Sequence, residues 1–139
     1  MEFQNPADEE IKELLAKSKT IAVVGLSDRP ERDSHRVARY LKENGYRIIP
    51  VNPRLKEVLG EKAYPDLASI PEKVDIVNIF RRSEEVPAVV EDALLKKPAA
   101  IWMQLGVVNG EAAAGAKKHG VQVVMDRCIM VEHGRLIPK

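Results

Sequence analysis

Apolar residues fall along the chain in two alternating rhythms. Continuous runs rich in β-branched residues occur at 20–24, 46–51, 74–80, 99–105 and 121–125. Unbroken apolar runs of that length describe strands covered on both faces, because a half-exposed strand would alternate apolar and polar positions. Between them the apolar positions recur at helical spacing. Val37, Ala38 and Leu41 form one stripe, begun by Asp33 or Ser34 and stopped at Asn44-Gly45. Val86, Val90 and Leu94 form another, begun at Ser83, with Glu84 and Glu85 at the positive end of the helix dipole and Pro87 tolerated in the first turn. An alanine-rich helix is capped by Asn109 and stops at Gly120, and a leading helix over 9–17 carries Ile11, Leu14 and Leu15.

Buried strands alternating with amphipathic helices predict an α/β protein. The expected form is a Rossmann-like doubly wound parallel sheet of five strands in the order 3-2-1-4-5. Helices cover both faces, and the helix over 9–17 is extra. The 139 residues are expected to make one domain, 1–139. Such a domain buries roughly two-thirds of its unfolded surface, so it needs no disulfide or metal to hold it together.

Charge and chemistry narrow the function. The chain has 22 basic and 21 acidic residues, a net charge of +1. That balance argues against a nucleic-acid binder, which carries a basic excess. Cys128 is the sole cysteine, so no intrachain disulfide forms, and it is expected to be a small core residue. The opening residues 1–6 lack the basic and apolar stretches of a signal peptide, and no apolar run approaches the ~20 residues of a membrane span. A cytoplasmic protein without membrane contact is expected. His35, His119 and His133 are scattered without metal-ligand spacing, so structural roles and no metal are expected, and Trp102 is expected in the core. No feature indicates a protein partner.

Parallel sheets of this kind bind ligands at the carboxyl ends of their strands, where the strand order reverses. Those ends are Gly25-Leu26-Ser27-Asp28-Arg29, Val51-Asn52-Pro53-Arg54, Phe80-Arg81-Arg82-Ser83, Gln104-Leu105-Gly106 and Asp126-Arg127-Cys128. Arginines and Lys56 cluster near them, and the start of the helix after Gly25 offers amides to a phosphate. Arg32, Arg36 and Arg39 have the spacing of a solvated helix face. A dinucleotide fingerprint would need glycines where Ser27 and Pro30 stand, and a carboxylate at the end of the second strand. An NAD site is therefore disfavoured. An NADP-dependent oxidoreductase remains the alternative, because an arginine could replace that carboxylate.

The chain resembles the small CoA-binding domain proteins, whose fold is that of the N-terminal domain of the succinyl-CoA synthetase α subunit. The resemblance spans 21–133. It rests on Val24-Gly25-Leu26-Ser27 with its arginine-bearing loop, on 45–53, on Asp75 through Arg82, on Trp102 through Val107 and on Asp126-Arg127-Cys128. It implies a site for coenzyme A or an acyl-CoA. Gly25, Leu26, Ser27, Asp28 and Arg29 would cradle phosphates. Asn52 and Pro53, following Val51, would flank the adenosine, with Arg54 or Lys56 at the 3′-phosphate. Phe80 and Arg81 would line the ligand's path, and Gln104 and Gly106 the pantetheine. Related acyl-CoA synthetases use a phosphorylated histidine on a second domain that these 139 residues do not supply. The expectation is a carrier, sensor or subunit with no catalytic residues of its own.

Overall fold

The computed structural model describes residues 3–138. Helix α1 (Asp8–Lys17) precedes strand β1 (Thr20–Val24), helix α2 (Asp33–Glu43) and strand β2 (Arg47–Val51). A two-stranded hairpin, β3 (Glu57–Val58) and β4 (Glu61–Lys62), and a single 3₁₀ turn (Leu67–Ser69) lead to β5 (Ile76–Ile79). A second 3₁₀ turn (Ser83–Glu85) enters α3 (Val86–Leu95), followed by β6 (Ala100–Met103), α4 (Gly110–Lys118), β7 (Gln122–Val124) and α5 (Ile129–Leu136). No helix among the described residues is long and apolar enough to cross a membrane.

The main sheet is parallel throughout, in the order β2-β1-β5-β6-β7. One further parallel bridge, Val51 to Tyr64, places a rudimentary strand outside β2. Tyr64 donates its N–H to the Pro50 carbonyl and accepts from the Asn52 N–H, both at 2.9 Å. Counted third, this segment gives the 3-2-1-4-5 pattern of a Rossmann-like sheet, with β7 beyond it. The apolar run at 74–80, numbered third from the sequence, is therefore the fourth strand of the pattern and lies beside β1. A strand reduced to one bridged residue has no apolar run to announce it.

Side chains alternate between the two faces as the pleat requires. Ala22, Val24, Val77, Ile79, Ile101 and Met103 pack beneath α3 and α4, against Val86, Val90, Ala93, Ala113 and Ala116. Ile21, Val23, Ile76 and the fully buried Trp102 face α1, α2 and α5. Asn109 caps α4 as expected, accepting from the Ala112 N–H at 2.9 Å.

Helix α5 is absent from the sequence reading, and its buried stripe explains why. The residues it turns inward are Ile129, Glu132 and His133, while Val131 is exposed. Polar residues occupy positions that a hydrophobic pattern search expects to be apolar. Glu132 is held by Arg135 at 2.8 Å and Arg127 at 3.4 Å. Arg135 also reaches Asp8 at 2.8 and 2.9 Å, which ties α5 to the start of α1. His133 Nδ1 shares a hydrogen bond with the Tyr40 hydroxyl at 2.9 Å, and its ring meets Tyr40 and Tyr46 edge-on. The Tyr46 hydroxyl donates to the Leu15 carbonyl at 2.6 Å. Charge pairing and aromatic contact thus seat this helix where a purely apolar stripe would usually serve.

The two edges of the sheet are both attended. Beyond β7, Asn5 donates its side-chain N–H to the Met125 carbonyl at 2.9 Å, and its Oδ1 accepts from the Met125 N–H at 2.7 Å.

Burial pushes the His133 pKa below its ordinary 6.5. The unfolded chain therefore takes up a proton that the folded chain resists. The contribution of neutral His133 to stability is complete above about pH 6.5 and is lost as pH falls from there toward the lowered folded value. Urea denaturation between pH 7 and 5 should show falling stability in this chain. The decline should be shallower in His133→Phe, and parallel declines would show that another group is responsible.

Candidate functional site

Strand β1 ends at Gly25, with φ of 86°. A Cβ built there would stand 2.2 Å from the Phe80 carbonyl oxygen, a contact no side chain can make. The Gly25 N–H donates to the Val51 carbonyl at 2.9 Å, and the Phe80 N–H donates to the Val24 carbonyl at 2.8 Å. The carboxyl ends of β2, β1 and β5 are thereby drawn together, where the chain crosses from one side of β1 to the other.

The loop that follows is braced from two sides. The Ser27 N–H donates to Ser34 Oγ at 3.0 Å, and Ser27 Oγ accepts from the Arg29 N–H at 3.1 Å. Asn52 donates its side-chain N–H to the Leu26 carbonyl at 3.0 Å and accepts from the Arg54 N–H at 2.9 Å. Ser34 is thus a tether for the loop. The N-cap position of α2 is Arg32, and no side chain caps the helix, in contrast to the expected cap by Asp33 or Ser34. An uncapped helix start presents unpaired donors and a positive dipole end.

Two clefts open on this edge and meet at Asp33 and Phe80. The first, of about 610 Å³, is polar and is lined by Gly25, Ser27, Arg29, Glu31, Arg32 and Ser34. The second, of about 560 Å³, runs past Arg81 and Gln104 to an apolar wall of Leu105, Val107, Met130 and Val131, with Cys128 among them. Asp33 is ion-paired with Arg36, and Arg81 lies 3.8 Å from Glu85. Arg29, Arg32 and Arg82 are exposed and make no ion pair among the described residues. The polar cleft therefore has free guanidinium groups beside an uncapped helix start.

The sequence-predicted residues divide between cleft and frame. Gly25, Ser27 and Arg29 line the polar cleft, Phe80 lies between the two, and Arg81 and Gln104 line the apolar one. Leu26 is fully buried, so only its backbone serves the loop, and Val51 is buried with its carbonyl engaged by Gly25. Asp28, Pro53, Arg54 and Lys56 are exposed and line neither cleft. Asn52 acts as a brace beneath the loop. Gly106 is outside both clefts, and its N–H donates to Asp126 Oδ1 at 2.8 Å. Gln104 Oε1 accepts from Asn78 Nδ2 and from the Ile129 N–H, both at 3.3 Å, so it joins β5, β6 and the start of α5.

Sequence reasoning missed the contribution of α5. Met130 and Val131 belong to that helix, and Cys128, expected in the core, is half-buried and lines the cleft as well as packing against the core. Arg32 and Arg36, expected on a solvated face, also line the clefts. Their signal was available in the proximity of the α2 start to Gly25. His119 has a structural bond to the Gly115 carbonyl at 2.9 Å, and no metal-binding cluster occurs among the described residues.

Comparison with known proteins places this geometry in a lineage. The chain is 52% identical over 131 residues to the protein YneT of Bacillus subtilis (strain 168), covering 94% of this chain and 97% of that one. It is 32% identical over 117 residues to acetate–CoA ligase [ADP-forming] II of Archaeoglobus fulgidus, covering 76% of this chain and only 17% of the ligase. A solved structure, a hypothetical protein from Pyrococcus horikoshii OT3, superimposes with a TM-score of 0.92 at 42% identity, covering 99% of this chain and 100% of its own. The family model described as a CoA binding domain matches residues 19–134, and the chain belongs to that family.

Proposed function

We propose that this protein binds coenzyme A or an acyl-CoA at the carboxyl edge of its sheet, as a carrier, sensor or subunit that performs no chemistry itself. The observation that carries the reading is the junction of a polar and an apolar cleft at Phe80 and Asp33. Coenzyme A has the same division, with a polyanionic nucleotide at one end and a neutral thiol-bearing arm at the other. Its phosphates suit the uncapped start of α2 and the guanidinium groups of Arg29 and Arg32. The arm leads past Phe80 toward Gln104 and the apolar wall.

Family membership and the named CoA chemistry of the archaeal ligase support the ligand. They do not extend to the ligase reaction, since this chain corresponds to 17% of that protein. A cytoplasmic location, proposed on the same reading, suits a ligand of central metabolism.

Calorimetric titration at low salt tests the proposal, with NAD and NADP as parallel ligands. Saturable one-to-one binding of CoA is expected, weakening as salt is raised because screened charges contribute less. Arg29→Ala should weaken it about 10- to 100-fold, the range for losing a charge-assisted hydrogen bond. Binding of NADP without CoA would replace the proposal with an oxidoreductase. Gly25→Ala should destabilise the fold by about 2 kcal/mol or more, through a left-handed backbone and the contact with Phe80. A normal unfolding midpoint in that variant would show that β1 and β5 separate more easily than their geometry implies.

A further inference from the structure

We infer that the distal cleft is built for an aliphatic acyl group, so that this protein holds acyl-CoA in preference to free CoA. The inference rests on the coenzyme A reading and adds the class of ligand carried at the thiol end. With phosphates in the polar cleft, the junction at Phe80 gives the arm a path that brings its thiol end to the cleft beyond.

That cleft is richer in apolar surface than a free thiol requires. The large apolar side chains exposed among the described residues are Leu95, Leu105, Val108 and Val131. Leu105 and Val131 are walls of this cleft, at 66% and 57% exposure, and Val108 lies on the same loop after β6. Leu95, at the end of α3, is alone at the opposite end of the sheet. Exposed apolar side chains scattered singly are ordinary, but a concentration at the mouth of a cleft marks a place where something apolar is received.

Most polar groups nearby are committed, the exception being Arg82, which also lines the cleft and is exposed without an ion pair among the described residues. Gln104 Oε1 already accepts two hydrogen bonds. Arg36 faces Asp33, and Arg81 faces Glu85. What remains toward Leu105, Met130 and Val131 offers dispersion and exclusion of water, which an alkyl chain exploits and a thiol barely uses. The helix that supplies Met130 and Val131 keeps its inward stripe for Ile129, Glu132 and His133, so Val131 is left for the cleft and Met130 is shared between the cleft and the core.

The test is calorimetry with CoA, acetyl-CoA, butyryl-CoA and hexanoyl-CoA, with succinyl-CoA as a charged comparator. Each added methylene should tighten binding between about twofold and fourfold, the upper figure being full burial of a CH₂ at ~0.8 kcal/mol. The gain should come with an increasingly negative heat-capacity change. Val131→Asp and Leu105→Ser should flatten the dependence on chain length. The readout is the ratio of hexanoyl-CoA to CoA affinity within each variant, whatever the change does to CoA itself. Leu95→Ser, outside both clefts, should leave that ratio unaltered. CoA binding with hexanoyl-CoA within twofold of it would overturn the inference and leave the coenzyme A reading standing. Tighter binding of succinyl-CoA than butyryl-CoA would also overturn it, by assigning the preference to the arginines. An equal loss of the ratio in Leu95→Ser would place the acyl chain elsewhere. Absence of any CoA binding would remove both readings together.

Discussion

The close approach of Gly25 to the Phe80 carbonyl is the contact on which the rest of the edge depends. It lets β1 and β5 remain hydrogen-bonded to their last residues while the chain leaves β1 in a left-handed turn. Because β2 and β5 flank β1 on opposite sides, the loop after Gly25 emerges at the point where successive connections diverge. The space left between diverging connections is where a ligand can enter. Ser34 and Asn52 then hold that loop from the helix above and the neighbouring strand, so its backbone is set before any ligand arrives. Such preorganisation lowers the ordering cost of binding.

Much of this was legible in the chain. Continuous apolar strands and amphipathic helices identify the layers, because burial on both faces of a parallel sheet leaves few alternatives. Gly25 is readable as the exit from the first strand, and Arg29 and Arg81 as charges placed near it. The parts that were not legible share one cause, which is that side chains there serve long-range partners. Tyr64 is a strand by virtue of Pro50 and Asn52, residues more than ten positions away, and no local run marks it. Glu132 and His133 are buried because Arg127, Arg135 and Tyr40 receive them, so the local pattern reads as a polar tail. Asn52 also donates to the Leu26 carbonyl, a bond between segments far apart in the chain that no local pattern marks.

Helix α5 connects these observations. It is anchored to α1 through Arg135 and Asp8, to α2 through His133 and Tyr40, and to β6 through Gln104 and the Ile129 N–H. Each anchor is polar and directional, in a position where apolar packing would have allowed the helix to slide. The result is that Met130 and Val131 are held in fixed positions relative to Phe80 and Leu105, although they sit on the last element of the fold. A wall made from the end of the chain is as well located as one made from the central strands.

The pairing of Asn5 with Met125 has a bearing on how copies of this protein meet one another. An asparagine side chain carries the same donor and acceptor as a peptide unit, and here both are spent on the backbone just past β7. The rim of the sheet is occupied by a side chain impersonating one residue of a neighbouring strand, without the continuation a real strand would offer. At the other rim Tyr64 closes β2 in a single step. Each of these contacts shortens the edge along which another chain could extend the sheet. A second copy pairing at the β7 rim would have to displace Asn5 to run past Val124, which disfavours extension of the sheet in that direction.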